Sequence, residues 1–209
     1  MRKLFRWGPL LCAALLQSGV AAAENPPIPK LGAPVLITGF GQCIDANLAK
    51  IFAHRLKIEY EYGLDIKPED VDWNSCRTLF AVLGCSNSVC CCSLGSDATG
   101  AVVTRDGRIG HVVAGMSILD ECERCRRIVE EAKKHNVSVV AMHLGGMARR
   151  YKNSEPFLPF AGDADYVIVR ADGNADGYFT ALCAPKDVPL YTMQKGTELK
   201  QIIQTMIQP

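Results

Sequence analysis

Six short apolar runs along the chain predict the strands of a sheet. They lie at 34–38, 58–61, 78–83, 137–142, 166–170 and 189–193. Several are apolar at almost every position. They lack the alternation of apolar and polar residues that is typical of a strand with one solvent-exposed face. Continuous apolar runs of this kind are typical of parallel strands that are covered on both faces.

Amphipathic segments between the runs predict helices over 43–56, 118–135 and 197–207. The first carries an apolar stripe made of Ile44, Leu48, Ile51, Phe52 and Leu56. Strands that alternate with helices at these spacings predict a three-layer, doubly wound α/β fold, Rossmann-like or flavodoxin-like, with a mostly parallel sheet and right-handed crossovers. The stretch 84–115 is too long for a simple connection, and Asp106-Gly107 between β-prone residues predicts an inserted hairpin near 100–113.

The first 23 residues have the pattern of a Sec-type signal peptide. A basic start precedes a short apolar run that ends at Ala21-Ala22-Ala23. The run is shorter than the roughly 20 residues that a membrane-spanning helix needs, so we expect no membrane span after cleavage behind Ala23. The predicted organisation is a signal peptide over 1–23, a Pro-rich leader over 24–33 and one α/β domain over 34–209. The predicted location is extracytoplasmic, that is, periplasmic or secreted.

The charge of the chain argues against one class of partner, and its cysteine content points to thiol or metal chemistry. The chain has 23 Lys+Arg and 22 Asp+Glu, and cleavage would remove three basic residues and no acidic one. A nucleic-acid partner is therefore not expected, because such partners go with a strongly basic domain. Cleavage would also remove one of the 10 cysteines. An odd number of cysteines would then enter an oxidising compartment. At least one thiol would therefore stay free, bind metal or pair with another molecule.

The loop after the first strand contains Thr38, Gly39, Gly41 and Gln42 and opens a helix. Ligands of doubly wound sheets bind outside the carboxyl ends of the strands, and N–H groups at a helix start attract anions. These residues therefore predict an anion site, with a tight turn that holds no ligand as the alternative. NAD and FAD are not expected, because Ile44 stands where the dinucleotide fingerprint requires Gly or Ala.

The loop after the fourth strand contains His143, Gly145, Gly146, Arg149 and Arg150. Its glycines free backbone donors, and arginine binds carboxylate and phosphate in a bidentate manner. The loop therefore predicts a second part of an anion site. In the alternative interpretation one arginine is solvated and the histidine bonds a neighbouring loop.

Asp172, Asn174 and Asp176 follow the fifth strand. They match the first half of a calcium loop, in which oxygens at positions 1, 3 and 5 surround the ion. Position 12 is Cys183, which cannot supply the bidentate carboxylate of such a loop. The alternative is a capped turn that lines the cleft, with Asp176 capping a helix that starts at Gly177 or Tyr178.

Cysteines form the most unusual cluster in the sequence. Cys85, Cys90, Cys91 and Cys92 follow the third strand, and they fit disulfides, a soft metal such as Zn or Cu(I), or an iron–sulfur cluster. Cys122 and Cys125 lie on the predicted helix, where a stripe with Ile118, Val129 and Ala132 indicates that both thiols face the sheet. Metal ligation jointly with Cys90 to Cys92 is the alternative. Redox catalysis is least favoured, because both thiols lie beyond the helix start.

Several motifs together resemble the bacterial domain of unknown function 6305 family. They are Pro34–Thr38, Gly41-Gln42, Asp45-Ala46, Met142–Gly146, Ala148–Arg150, Asp165–Val169, Asp172–Asn174 and Asp176–Thr180. The resemblance covers about Pro34 to the C-terminus and implies a secreted or lipid-anchored single α/β domain without an assigned reaction. Between Cys85 and Met116 the chain departs from the family pattern, which has a short Gly-rich and Ser-rich loop there. The resemblance implies no catalytic residue.

Two function hypotheses follow from these loops. The first is non-catalytic binding of a small anionic ligand at the strand-end cleft by the residues after strands one, four and five. The second is a metal-binding or thiol-redox protein that uses Cys85, Cys90 to Cys92, Cys122 and Cys125, with His111 or His143. The chain contains no Gly-x-Ser-x-Gly elbow and no His-Glu-x-x-His motif, so no catalytic motif indicates an enzyme.

Overall fold

The computed structural model describes residues 24–85, 102–103, 109–110 and 118–208. Within these residues six strands form one sheet that is entirely parallel. They are β1 Val35–Phe40, β2 Tyr60–Tyr62, β3 Thr78–Leu83, β6 Ser138–His143, β7 Tyr166–Arg170 and β8 Leu190–Met193. Their order across the sheet is β2-β1-β3-β6-β7-β8. The winding direction reverses between β1 and β3, so the switch point of the sheet lies there. The predicted doubly wound α/β fold is confirmed.

Two short strands pair outside the main sheet. They are β4 Val102–Val103 and β5 Ile109–Gly110, which are antiparallel to each other. They lie where the sequence predicts an inserted hairpin.

Helices cover both faces of the sheet. The helix α1 Ala46–Arg55 and the helix α4 Glu198–Met206 pack on one face, and α2 Ile118–Lys134 and α3 Tyr178–Cys183 pack on the other. All residues of β1 and β3 are buried, with alternate side chains entering one core or the other. Two covered faces explain why the strands are continuously apolar. Among the described helices, none is long and apolar enough to cross a membrane.

The predicted apolar stripe of α1 is wrong at Ile51. That side chain is 42% exposed, and the buried positions of the helix are Ala46, Ala49, Phe52 and Ala53. Small side chains on the buried face let the helix backbone approach the sheet closely. Three of the four buried positions of α1 are alanines, so the most hydrophobic residues of the helix do not mark the face that packs on the sheet.

The first strand is longer than its apolar run predicts. It continues through Gly39 and Phe40, which pair with Val82 and Leu83 of β3. Thr38 and Gly39 are therefore strand residues, and the connection to α1 begins only at Gly41. Pairing with the central strand β3 extends β1 beyond the run that the sequence alone marks.

The Pro-rich leader lies along the domain. The Asn25 amide donates to the Thr192 carbonyl over 3.0 Å and accepts from the Thr192 N–H over 2.7 Å. Leu31 donates to Met206 and accepts from Gln208, in a parallel bridge with the end of the chain. The leader thus joins the outer strand β8 to the segment after α4.

Candidate functional site

The loops after β1, β3, β6 and β7 meet at the carboxyl edge of the sheet around His143. The ring of His143 is fully buried, with Nδ1 3.1 Å from the Leu83 carbonyl oxygen and Nε2 3.0 Å from that of Gly146. Burial lowers the pKa of His143, and its two carbonyl partners act in the opposite direction. His143 therefore links the end of β3 to the turn after β6.

Glycines allow these loops to approach each other. A Cβ atom at Gly145 would collide with Arg149 and lie 2.5 Å from Oδ2 of Asp45. Gly146 has a φ of 62°, and a Cβ there would collide with Asp172. The two glycines thus bring the turn after β6 against the loops after β1 and β7.

Arg149 lies at the switch point, above the ends of β1 and β3. Its Nε is 3.3 Å from Oδ2 of Asp45, and its Nη2 donates to Oδ1 of Asp45 over 3.5 Å. Its Nη1 donates over 3.5 Å to the Cys85 carbonyl. Oδ2 of Asp45 is buried and has no hydrogen-bond partner of good geometry. A strong guanidinium–carboxylate pair has distances of about 2.7–2.9 Å, so the Arg149–Asp45 pair is loose.

Arg150, the next residue, is bound much more tightly. It donates to Oδ1 of Asp176 over 2.5 Å and to the Gly173 carbonyl over 3.0 Å. Its guanidinium also lies 4.5 Å from the centre of the Tyr178 ring, within cation–π distance. Arg150 therefore holds the loop after β7 against the loop after β6.

The carboxylates after β7 are also bound internally. Arg170 donates to both oxygens of Asp172 over 2.6 Å and lowers the pKa of that carboxyl to about 2. Oδ1 of Asn174 accepts from the N–H groups of Phe179 and Thr180 in the first turn of α3. Oδ1 of Asp176 accepts from the Tyr178 N–H over 3.2 Å, so Asn174 and Asp176 both bond the start of α3. In the described part of the chain, no three His, Cys, Asp or Glu side chains are placed to hold a metal ion.

Two residues of α2 that the sequence patterns did not reveal contact the loop between β1 and α1. Oε1 of Glu121 accepts from the N–H groups of Gly41 and Gln42, and Arg124 donates to both carboxylate oxygens of Glu121. Glu121 and Arg124 are only 1% and 5% exposed. Their spacing of three on α2, on the face that carries Cys125, is the signal that could have identified them.

The described cysteines are mostly buried in the core. Cys125 is fully buried, whereas Cys122 lies at the rim of the same cluster and is partly exposed. Burial raises the pKa of both thiols. Cys85 is buried at the end of β3, and its N–H donates to Oγ of Ser154 over 2.9 Å. Cys90 to Cys92 and His111 lie outside the described residues, so the metal or thiol hypothesis stays a prediction.

Comparison with known proteins identifies the family. The family described as Domain of unknown function (DUF6305) matches residues 32–207. No curated protein and no solved structure matches the chain. The match runs from the leader to the end of α4 and includes all six strands of the sheet and the loops at its carboxyl edge. The chain therefore belongs to the DUF6305 family.

Proposed function

We propose that this domain binds a small anionic ligand, without catalysis, at a switch-point crevice formed by Asp45, Gly84, Cys85 and Arg149. The observation that carries the proposal is the loose pairing of Arg149 with Asp45. The other two arginines at this edge, Arg150 and Arg170, have carboxylate contacts of 2.5–2.6 Å. Arg149 is the cation whose carboxylate partner a ligand would displace most easily.

The position of Arg149 suits this role. In doubly wound sheets ligands bind beyond the strand ends at the switch point, and Arg149 lies between the ends of β1 and β3. Its side chain is 19% exposed, so a ligand could reach it in a partly desolvated setting where charge pairing is stronger than in water. Burial lowers the pKa of Arg149, but the negative charges around it, Asp45 foremost, raise it on balance and favour its cationic form.

The remaining loop residues would shape the crevice. His143, Gly145 and Gly146 set the turn that carries Arg149, whereas Arg150, Asp172, Asn174 and Asp176 hold the neighbouring wall together. Gly84 has a φ of 140°, and the site of its missing Cβ is 3.9 Å from Cβ of Arg149. A Cβ at Gly84 would also lie 3.2 Å from Sγ of Cys43, so a glycine lets this loop pass between Cys43 and Arg149.

Thermal unfolding in the presence of simple anions tests the proposal. Phosphate, acetate, succinate and citrate would be titrated at constant ionic strength against the wild type, Arg149→Gln and Arg126→Gln. Arg126 is a matched control, because it is an exposed arginine on α2 that pairs with Glu123 and Glu130. We expect at least one anion to raise the Tm of the wild type and of the control saturably, and to leave Arg149→Gln unchanged.

Two outcomes would overturn the assignment. An anion that stabilises Arg149→Gln as much as the wild type binds elsewhere, and the absence of any saturable shift in the wild type removes the site. Arg149→Gln is expected to fold, since its pair with Asp45 is loose. Arg150→Gln should instead lower the Tm without any ligand, because it breaks the contacts to Gly173 and Asp176.

The proposed setting is extracytoplasmic, with cleavage after Ala23. Its support is the signal-peptide pattern of residues 1–23 together with the cysteine content. The intact mass of exported protein, measured with and without alkylation, tests the cleavage site and the state of each thiol. Metal analysis of the same sample tests the alternative function at Cys85, Cys90 to Cys92, Cys122 and Cys125, which stoichiometric metal would support.

A further inference from the structure

We infer that Glu121 is an intramolecular ligand that fills an anion-binding cradle, and that the cradle accepts a small external carboxylate when the Glu121 side chain is removed. The cradle consists of the N–H groups of Gly41 and Gln42 and the guanidinium of Arg124. It lies at the end of β1, where the sequence alone predicts a site for an external anion. This inference does not depend on the proposed site at Arg149.

The contacts of Glu121 are those of a bound anion. Its Oε1 accepts from Gly41 over 3.1 Å, from Gln42 over 3.2 Å and from Nη2 of Arg124 over 2.6 Å. Its Oε2 accepts from Nε of Arg124 over 2.8 Å. Successive backbone N–H groups in a turn form an anion-binding concavity, and the bidentate guanidinium supplies the charge.

The backbone of the turn is shaped for this purpose. Gly41 and Gln42 have φ values of 74° and 51°, and the second is unusual for a residue with a side chain. Two consecutive left-handed residues direct both N–H groups toward one carboxylate oxygen. The hydrogen bonds to Glu121 compensate for the unfavourable conformation of Gln42.

Arg124 is held in place by groups other than Glu121. It donates to the Gly39 carbonyl over 2.7 Å, to the Ile66 carbonyl over 3.0 Å and to Oγ1 of Thr38 over 3.4 Å. These three contacts would keep the guanidinium in position after loss of the Glu121 side chain. The cradle is therefore a preformed part of the fold.

A cavity borders the cradle at Arg124. It has a volume of about 360 Å³ and is lined by residues of α2 and of the segment after β2, with charges of both signs, among them Asp65, Lys67 and Arg127. Glu121 itself is almost fully buried, so its removal would leave a compartment close to a carboxylate in size beside a buried cation. Formate and acetate match the missing group in charge and shape.

Chemical rescue tests this inference. Glu121→Ala would be unfolded thermally in increasing formate or acetate, with chloride at equal ionic strength as the salt control. We expect formate and acetate to raise the Tm of Glu121→Ala by several degrees, saturably and well beyond chloride. Glu123→Ala is the matched control, because Glu123 is an exposed carboxylate on the same helix that pairs with Arg126. The control and the wild type should show no such shift.

The same rescue in Glu121→Ala/Arg149→Gln would separate the cradle from the proposed ligand site. Rescue that persists in the double variant places the bound carboxylate in the cradle, and rescue that requires Arg149 overturns the inference. Equal effects of formate and chloride, or rescue of Glu123→Ala as well, would also overturn it. If Glu121→Ala does not fold, refolding in formate replaces the melt, and recovery no better than in chloride counts against the cradle.

Discussion

Replacing Arg124 with methionine tests how much the buried Glu121–Arg124 pair contributes to stability. Methionine keeps most of the apolar stem and removes the charge, which leaves the Glu121 carboxylate with the two N–H groups of Gly41 and Gln42. Removing one partner of a buried ion pair typically costs about 3–5 kcal/mol. Because two backbone donors remain, we expect a loss near the lower end, about 3 kcal/mol in the free energy of unfolding.

Urea unfolding followed by tryptophan fluorescence measures this loss. Trp73 is the only tryptophan of residues 24–209 and is buried in the core that α2 covers. Arg126→Met is the control, since its exposed pairs with Glu123 and Glu130 are screened by water and should contribute little to stability. The reasoning is refuted if Arg124→Met and the control lose the same stability.

Two further predictions address the turns at the carboxyl edge. Gly145→Ala should cost roughly 1–3 kcal/mol in urea unfolding, because its Cβ would collide with Arg149, whereas Gly196→Ala should be nearly neutral, since its Cβ would meet Leu48 at an ordinary 3.6 Å. Arg170→Gln should raise the pKa of Asp172 from about 2 toward its ordinary 3.8 in an NMR titration. The stability that this pair contributes is present above pH 3.8 and is lost as pH falls toward 2, so an unchanged pKa in Arg170→Gln would show that Arg170 is not its cause.

Strands were the most predictable part of this fold. The apolar runs of β3 and β7 coincide with the strands residue for residue, because both strands are covered by helices on both faces. The end of β1 was less predictable, since Gly39 is a poor strand residue by itself and is held there by pairing with Val82. Local pattern therefore identifies a strand, and its partner in the sheet sets its length.

The two arginines after β6 show what sequence reasoning could not resolve. Arg149 and Arg150 are adjacent and chemically identical, yet one has a loose contact to Asp45 and the other a short one to Asp176. Their partners come from the loops after β1 and β7. The positions of those loops depend on how all the strands of the sheet pair. The prediction of paired cations at this edge was available from the sequence, but their separate roles were not.

The hydrophobic pattern along the chain is enough to predict the doubly wound α/β architecture and the approximate strands. It also predicts which loops lie at the carboxyl edge, because the geometry of parallel strands brings the loops that follow them to the same edge. The loop that contains Gly41 and Gln42 is also predicted from the sequence to be an anion site. The folded chain places the carboxylate of Glu121, which lies 80 residues from Gly41 along the chain, against this turn. A buried carboxylate requires several donors at once, and only the folded chain brings the turn, Arg124 and Glu121 together.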